Sequence, residues 1–185
     1  MKNLFLIALL FPTVAFAQQA PKPAPPANAG EVVSRQFTSL EHEFVPLVEA
    51  MPADKFDFAP STGEFKGVRT FALQARHVAT VNYMIAAALL GEKPPVDVKS
   101  ENGSDDLKTK DQIVQYVRDS FDYTHKALKT INDKNTVEMI DSPFGGKGSR
   151  LGLANSTVSH SFDHYGQMVV YLRMNGIIPP ASRQQ

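Results

Sequence analysis

Four stretches of the chain repeat apolar residues at steps of three and four, the spacing that draws one face of an α-helix. Val33, Phe37, Leu40, Phe44, Leu47 and Met51 form the first stripe, which starts at Glu31. Pro46 falls late in it and is expected to bend or end the helix, because proline removes an intrahelical donor. The second stretch starts near Thr70, runs through Phe71, Ala75, Val78, Ile85 and Leu89, and stops at Gly91 ahead of Pro94 and Pro95, a glycine cap before prolines that cannot continue a helix. Its interior line reads Thr70, Gln74, His77, Val81 and Met84, which places His77 among apolar neighbours. Thr109 and Gln112 have the spacing of a capping box, and a third stripe of Val114, Val117, Phe121, Leu128 and Ile131 follows. The fourth helix is expected over about residues 151–175, closed by Gly176, Pro179 and Pro180; its interior line is Leu153, Thr157, His160, His164, Met168 and Tyr171.

The connections are as informative as the helices. Residues 52–69 hold prolines, glycines and the aromatics Phe56, Phe58 and Phe65, a composition that predicts an ordered loop over one end of the core. Residues 93–108 form a polar crossover, and residues 137–151 lose the helical period around Ser142, Pro143, Phe144, Gly145 and Gly146, as a short hairpin or irregular loop does. No strand-like alternation of any length competes with the helices. The fold class predicted is therefore all-α, a four-helix bundle with a long crossover between helices 2 and 3.

The N-terminus follows a different logic. Lys2, the apolar run from Leu4 to Val14 and the ending Ala15, Phe16, Ala17 have the three-part pattern of a secretory signal peptide. The run falls short of the roughly 20 residues that span a bilayer, and no later segment is long enough either. Residues 18–30, rich in proline and alanine, read as a disordered tether. The expected organisation is a leader over 1–17, a tether over 18–30, one bundle over 31–180 and a tail over 181–185. An exported protein follows, periplasmic or secreted after cleavage near Ala17.

Charge and composition narrow the chemistry. The whole chain carries 19 basic and 19 acidic side chains, so no basic excess is available to displace counterions from a nucleic acid. The chain has no cysteine, which excludes disulfides and thiolate ligands; any metal must be held by nitrogen and oxygen.

His160 and His164 are four residues apart on the inward face of one helix, so both rings can reach one ion. A third ligand has to come from a facing helix, and His77 is the other histidine on a buried stripe. Three imidazoles leave coordination positions for water or substrate. The plainer reading is a hydrogen-bonded core pair with no ion. His42, between Glu41 and Glu43, and His125, near Asp122 and Lys126, read as surface residues. Ser161 stands where a zincin protease has its glutamate, and neither His77 nor His164 is preceded by the Glu-x-x-His of di-iron bundles. Gln167 and Asp163 are candidates to support the ligands from behind, and Met84, Gln167 and Tyr171 are candidates to line a pocket.

His160, His164-Tyr165-Gly166-Gln167-Met168, Tyr171-Leu172-Arg173, Gly176 and Pro179-Pro180 together resemble the closing helix of the DinB-like family of metal-binding four-helix bundles. The segment from Phe71 through Gln74 and Arg76 to His77 is similar to that family's second helix. The resemblance spans about residues 31–180. It implies a divalent ion, zinc, nickel or iron, held by His77, His160 and His164, and often a homodimer. Some members of that family and its relatives are thiol S-transferases or isomerases that activate a small thiol on the metal; the expectation for this chain is a metal-dependent enzyme of hydrolase or thiol-transferase type acting on a small molecule, or else a non-catalytic envelope protein that holds metal or a small ligand. The leader departs from the pattern, since the thiol cofactors of such transferases are cytosolic.

Overall fold

Four helices among the described residues each begin where a side chain takes over an otherwise orphaned backbone amide. Asn28 accepts from Glu31 N–H at the start of α1 (Ala29–Ala50), and Thr70 from Leu73 N–H at the start of α2 (Phe71–Leu90). Thr109 and Gln112 close the capping box that opens α3 (Lys110–Leu128), and Ser149 accepts from Gly152 N–H ahead of α4 (Arg150–Met174). This is a computed structural model, and it describes residues 24–61 and 67–183. The leader, residues 18–23 of the tether, and Phe65 lie outside the described residues.

α1 and α2 each pack against both α3 and α4, so α1 and α2 stand at opposite corners of an all-α bundle. The stripe from Val33 to Met51 is buried as the apolar spacing requires, and the Phe37 and Phe121 rings stack 4.8 Å apart between α1 and α3. A two-stranded antiparallel hairpin, β1 (Met139–Asp141) with β2 (Lys147–Ser149), pairs Ile140 with Gly148 and leads directly into α4. No helix in the described residues is long and apolar enough to cross a membrane.

Several expectations need correction. α1 takes in Ala29 and Gly30 from the stretch expected as tether, because Asn28 supplies the cap. Gly30 also lies against the Ile131 carbonyl so closely that a Cβ would collide with it. Pro46 does not end α1, which continues to Ala50. Of the third stripe, Val117, Phe121, Leu128 and Ile131 are buried as the spacing requires, but at its start Ile113 is buried while Val114 is half-buried. α2 is buried on almost every side rather than along one line, because the crossover covers the face that α3 and α4 leave open. Residues 181 and 182 belong to a 3-10 turn (Pro180–Ser182) rather than to a plain tail.

The loop ahead of α2 fixes where that helix starts. Phe56 is buried edge-on against Phe71, and the carbonyls of Phe58 and Phe56 accept from Phe71 and Ala72 N–H at 2.8 Å each. The first turn of α2 is thereby held by main chain as well as by its cap.

Candidate metal centre

α2 and α4 face each other with His77 on one and His160 and His164, one turn apart, on the other. The three Nε2 atoms converge: His77 to His160 is 3.0 Å and His160 to His164 is 3.1 Å. His77 and His164 are buried and His160 half-buried, and ligand atoms of all three lie within 4.8 Å of one another. Among the described residues no other cluster of histidines and carboxylates has this arrangement.

What lies behind the rings decides which nitrogens carry protons. The Glu101 carbonyl, on the crossover, is 2.8 Å from His77 Nδ1 and can only accept, so His77 Nδ1 is the protonated nitrogen. For His164 the answer comes through two amides. The Asp163 carboxylate accepts from Gln167 Nε2 at 3.0 Å, which turns Gln167 Oε1 toward Gln74 Nε2 at 2.9 Å. Gln74 Oε1 therefore faces His164 Nδ1, 2.5 Å away, and that nitrogen donates. Both His77 and His164 thus offer bare Nε2 lone pairs toward His160. A neutral His160 has one proton to give, and its buried Nδ1 has no partner. At most one of the two short nitrogen contacts can then be a full hydrogen bond, and the other leaves an imidazole lone pair with no proton facing it. A cation satisfies both contacts. With metal–nitrogen bonds of about 2.0–2.1 Å, two nitrogens on one ion stand about 2.9–3.4 Å apart for angles between octahedral and tetrahedral, a range that includes the spacing seen here. The chain's residues fit a metal ion.

The rings are also held neutral, the state a metal ligand needs. Burial pushes His160 and His164 down to about 4, and neighbouring imidazoles add to it. Burial likewise lowers His77, opposed by its bond to the Glu101 carbonyl. The Arg69 charge acts in the same downward direction on all three.

A cavity of about 380 Å³ opens on His77 and His160 of the triad, lined also by Arg69, Val81, Ile85, Glu101, Ser156 and, from the hairpin turn, Phe144. Met84 and Tyr171 do not line it. Met84 is half-buried elsewhere on α2, and the Tyr171 hydroxyl donates to the Arg69 carbonyl at 3.1 Å. Gln167 and Asp163 lie behind His164 rather than in this cavity. His42 is exposed, and His125 pairs with Glu41 at 2.7 Å, so neither joins the site. Sequence spacing did not reveal Glu101, which acts through a carbonyl that any residue would carry, or Arg69, which reaches the site from the loop before α2. Gln74 did have a signal: it shares the interior line of His77.

The DinB superfamily model matches residues 36–168. A DinB-like protein from Bacillus cereus is similar in structure, with a TM-score of 0.67 and 19% identity over 81% of this chain and 95% of that one. A DinB-like protein from Bacillus subtilis gives 0.62 and 16% over 83% and 99%, and a conserved protein from Enterococcus faecalis 0.63 and 15% over 80% and 98%. No curated protein matches the chain.

Proposed function

The chain belongs to the DinB superfamily, and we propose that it holds a divalent first-row metal ion on the Nε2 atoms of His77, His160 and His164 and presents it to a small molecule. The observation that carries this reading is the pair of Nε2 contacts at 3.0 and 3.1 Å around His160, which one proton cannot satisfy. Bound there, the ion supplies Lewis acidity toward water, a thiol or a substrate oxygen. Glu101 and Gln74 hold two of the rings in the tautomer that points a lone pair inward, and the hydrophobic surroundings keep the rings unprotonated.

A non-catalytic metal holder would use the same three ligands. The cavity of about 380 Å³ against the triad favours the enzyme, of hydrolase or thiol-transferase type, because it gives a substrate room beside the ligands. Zinc, nickel and iron all suit imidazole nitrogen. Export belongs to this reading on the leader pattern of residues 1–17, and pairing of two copies on the family resemblance.

The test is the metal content of the protein purified without a histidine tag, beside a variant with His77→Ala, His160→Ala and His164→Ala. We expect close to one ion per chain in the first and a trace in the second. Equal trace amounts in both, with no uptake when zinc, nickel or iron is added, would overturn the reading.

A further inference from the structure

The loop ahead of α2 and the helix itself carry two arginines near the triad, and they are in different electrostatic situations. Arg76 is buried and balanced: Nε donates to the Asn102 carbonyl at 3.0 Å and a terminal nitrogen pairs with Asp105 at 3.0 Å. Arg69 is half-buried, and its Nε donates to the Asn102 side chain at 2.9 Å. That bond fixes the plane of the guanidinium. Among the described residues its terminal nitrogens have no hydrogen-bond partner and no carboxylate pairs with it. Arg69 lines the cavity that His77 and His160 open onto, and also borders a second cavity of about 410 Å³ with Gln74, Asn102 and Gln167.

We infer that Arg69 is the substrate-recognition residue of this site and that the cavity takes a small organic carboxylate, its acid group held by Arg69 and its apolar part against Val81, Ile85 and Phe144. The inference rests on the metal reading above. Three neutral imidazoles leave a divalent ion's charge unbalanced. The cavity wall then adds one permanent cation, Arg69, and one carboxylate, Glu101, so the loaded site retains a positive excess that an anion relieves. A guanidinium with its Nε anchored offers its terminal N–H groups as a fixed fork, the geometry that matches a carboxylate. The remaining wall is mostly hydrocarbon, from Val81 and Ile85 of α2 and the Phe144 ring, with one hydroxyl, Ser156, whose proton already goes to the Gly152 carbonyl; that suits a compact apolar body better than a sugar or polyol. A volume of about 380 Å³ limits the ligand to a small molecule.

The experiment uses the full chain loaded with cobalt(II), with benzoate as the anionic probe and benzamide as its neutral counterpart, followed by calorimetry and by the visible spectrum of the ion. Benzoate should bind at least about tenfold more tightly than benzamide, as expected for a hydrogen-bonded charge. Arg69→Gln should remove that preference while metal content and melting temperature stay at the wild-type level. Arg69→Lys, which keeps the charge, should restore part of it. If the wild type retains metal but Arg69→Gln binds benzoate as well as wild type does, or if benzoate and benzamide bind alike, Arg69 is not the recognition residue and the metal reading stands. If the wild type takes up no cobalt, the metal reading itself fails and this inference falls with it.

Discussion

A carboxylate has no proton to give at neutral pH, and that makes the exposed Asp163 the fixed end of a chain that reaches a buried ring. Gln167 and Gln74 are each free to turn their amides over, but with Asp163 accepting at one end only one orientation bonds throughout, and it leaves His164 Nδ1 as a donor. Partners of this kind commonly change metal affinity by about 10–100-fold when removed. Gln74→Leu, close in volume and unable to accept, should therefore weaken zinc binding by about that factor in competition with a chromophoric chelator. Asp163→Asn should do less, because an amide can still accept from Gln167. Unchanged affinity in Gln74→Leu would remove the chain from the site. At this scale the three converging histidines were legible and the groups behind them only partly so. His77, His160 and His164 appear on the interior lines of two helices because helical period is written locally. Arg69 and the Glu101 carbonyl enter through the tertiary course of two loops, which periodicity does not encode, and for the same reason Met84 and Tyr171 were placed in a pocket they do not line.

The crossover between α2 and α3 is the element that joins fold and site. Its Glu101 carbonyl fixes the His77 tautomer, Asn102 holds both arginines, and Gly103 passes so close to α2 that a Cβ would stand 2.7 Å from Thr80 Oγ1. Gly103 also has a φ of 73°, in the left-handed region that glycine enters without cost. Gly103→Ala should destabilise the protein by about 1–3 kcal/mol, since strain of this type and a collision act together. Urea unfolding measures that loss, and the same variant should bind metal less tightly because Glu101 moves with Gly103. Wild-type stability in the variant would mean that the crossover is not held against Thr80. Helix ends were readable from the chain because Thr70, Thr109 and Gly91 act on their own turn. The crossover appeared only as polar sequence, since its glycine is required by a residue more than twenty positions earlier.

For the molecule as a whole, the buried triad couples stability to pH, and the sign follows from the direction of the shifts. In the metal-free protein His160 and His164 are pushed down to about 4, whereas an unfolded chain has histidines near the ordinary value of about 6.5. Between those limits the unfolded state binds more protons, so stability falls as pH drops from about 6.5 to about 4 and is insensitive to these two groups above about 7. His77, shifted the same way by its burial, acts in the same sense. A bound ion adds stability by favouring the folded state through mass action, and protons compete with it for the same nitrogens. Thermal melts from pH 4 to 8, with and without saturating zinc, should then show two trends. The metal-free melting temperature should decline below about pH 6.5, whereas the increment given by zinc should hold to about pH 5 and be lost only as pH approaches about 4, where the folded, metal-free His160 and His164 take up protons. The variant lacking all three imidazoles should show no zinc increment at any pH and a shallower decline. A zinc increment that already falls away between about pH 7 and 6 would place the ion on groups other than these buried histidines.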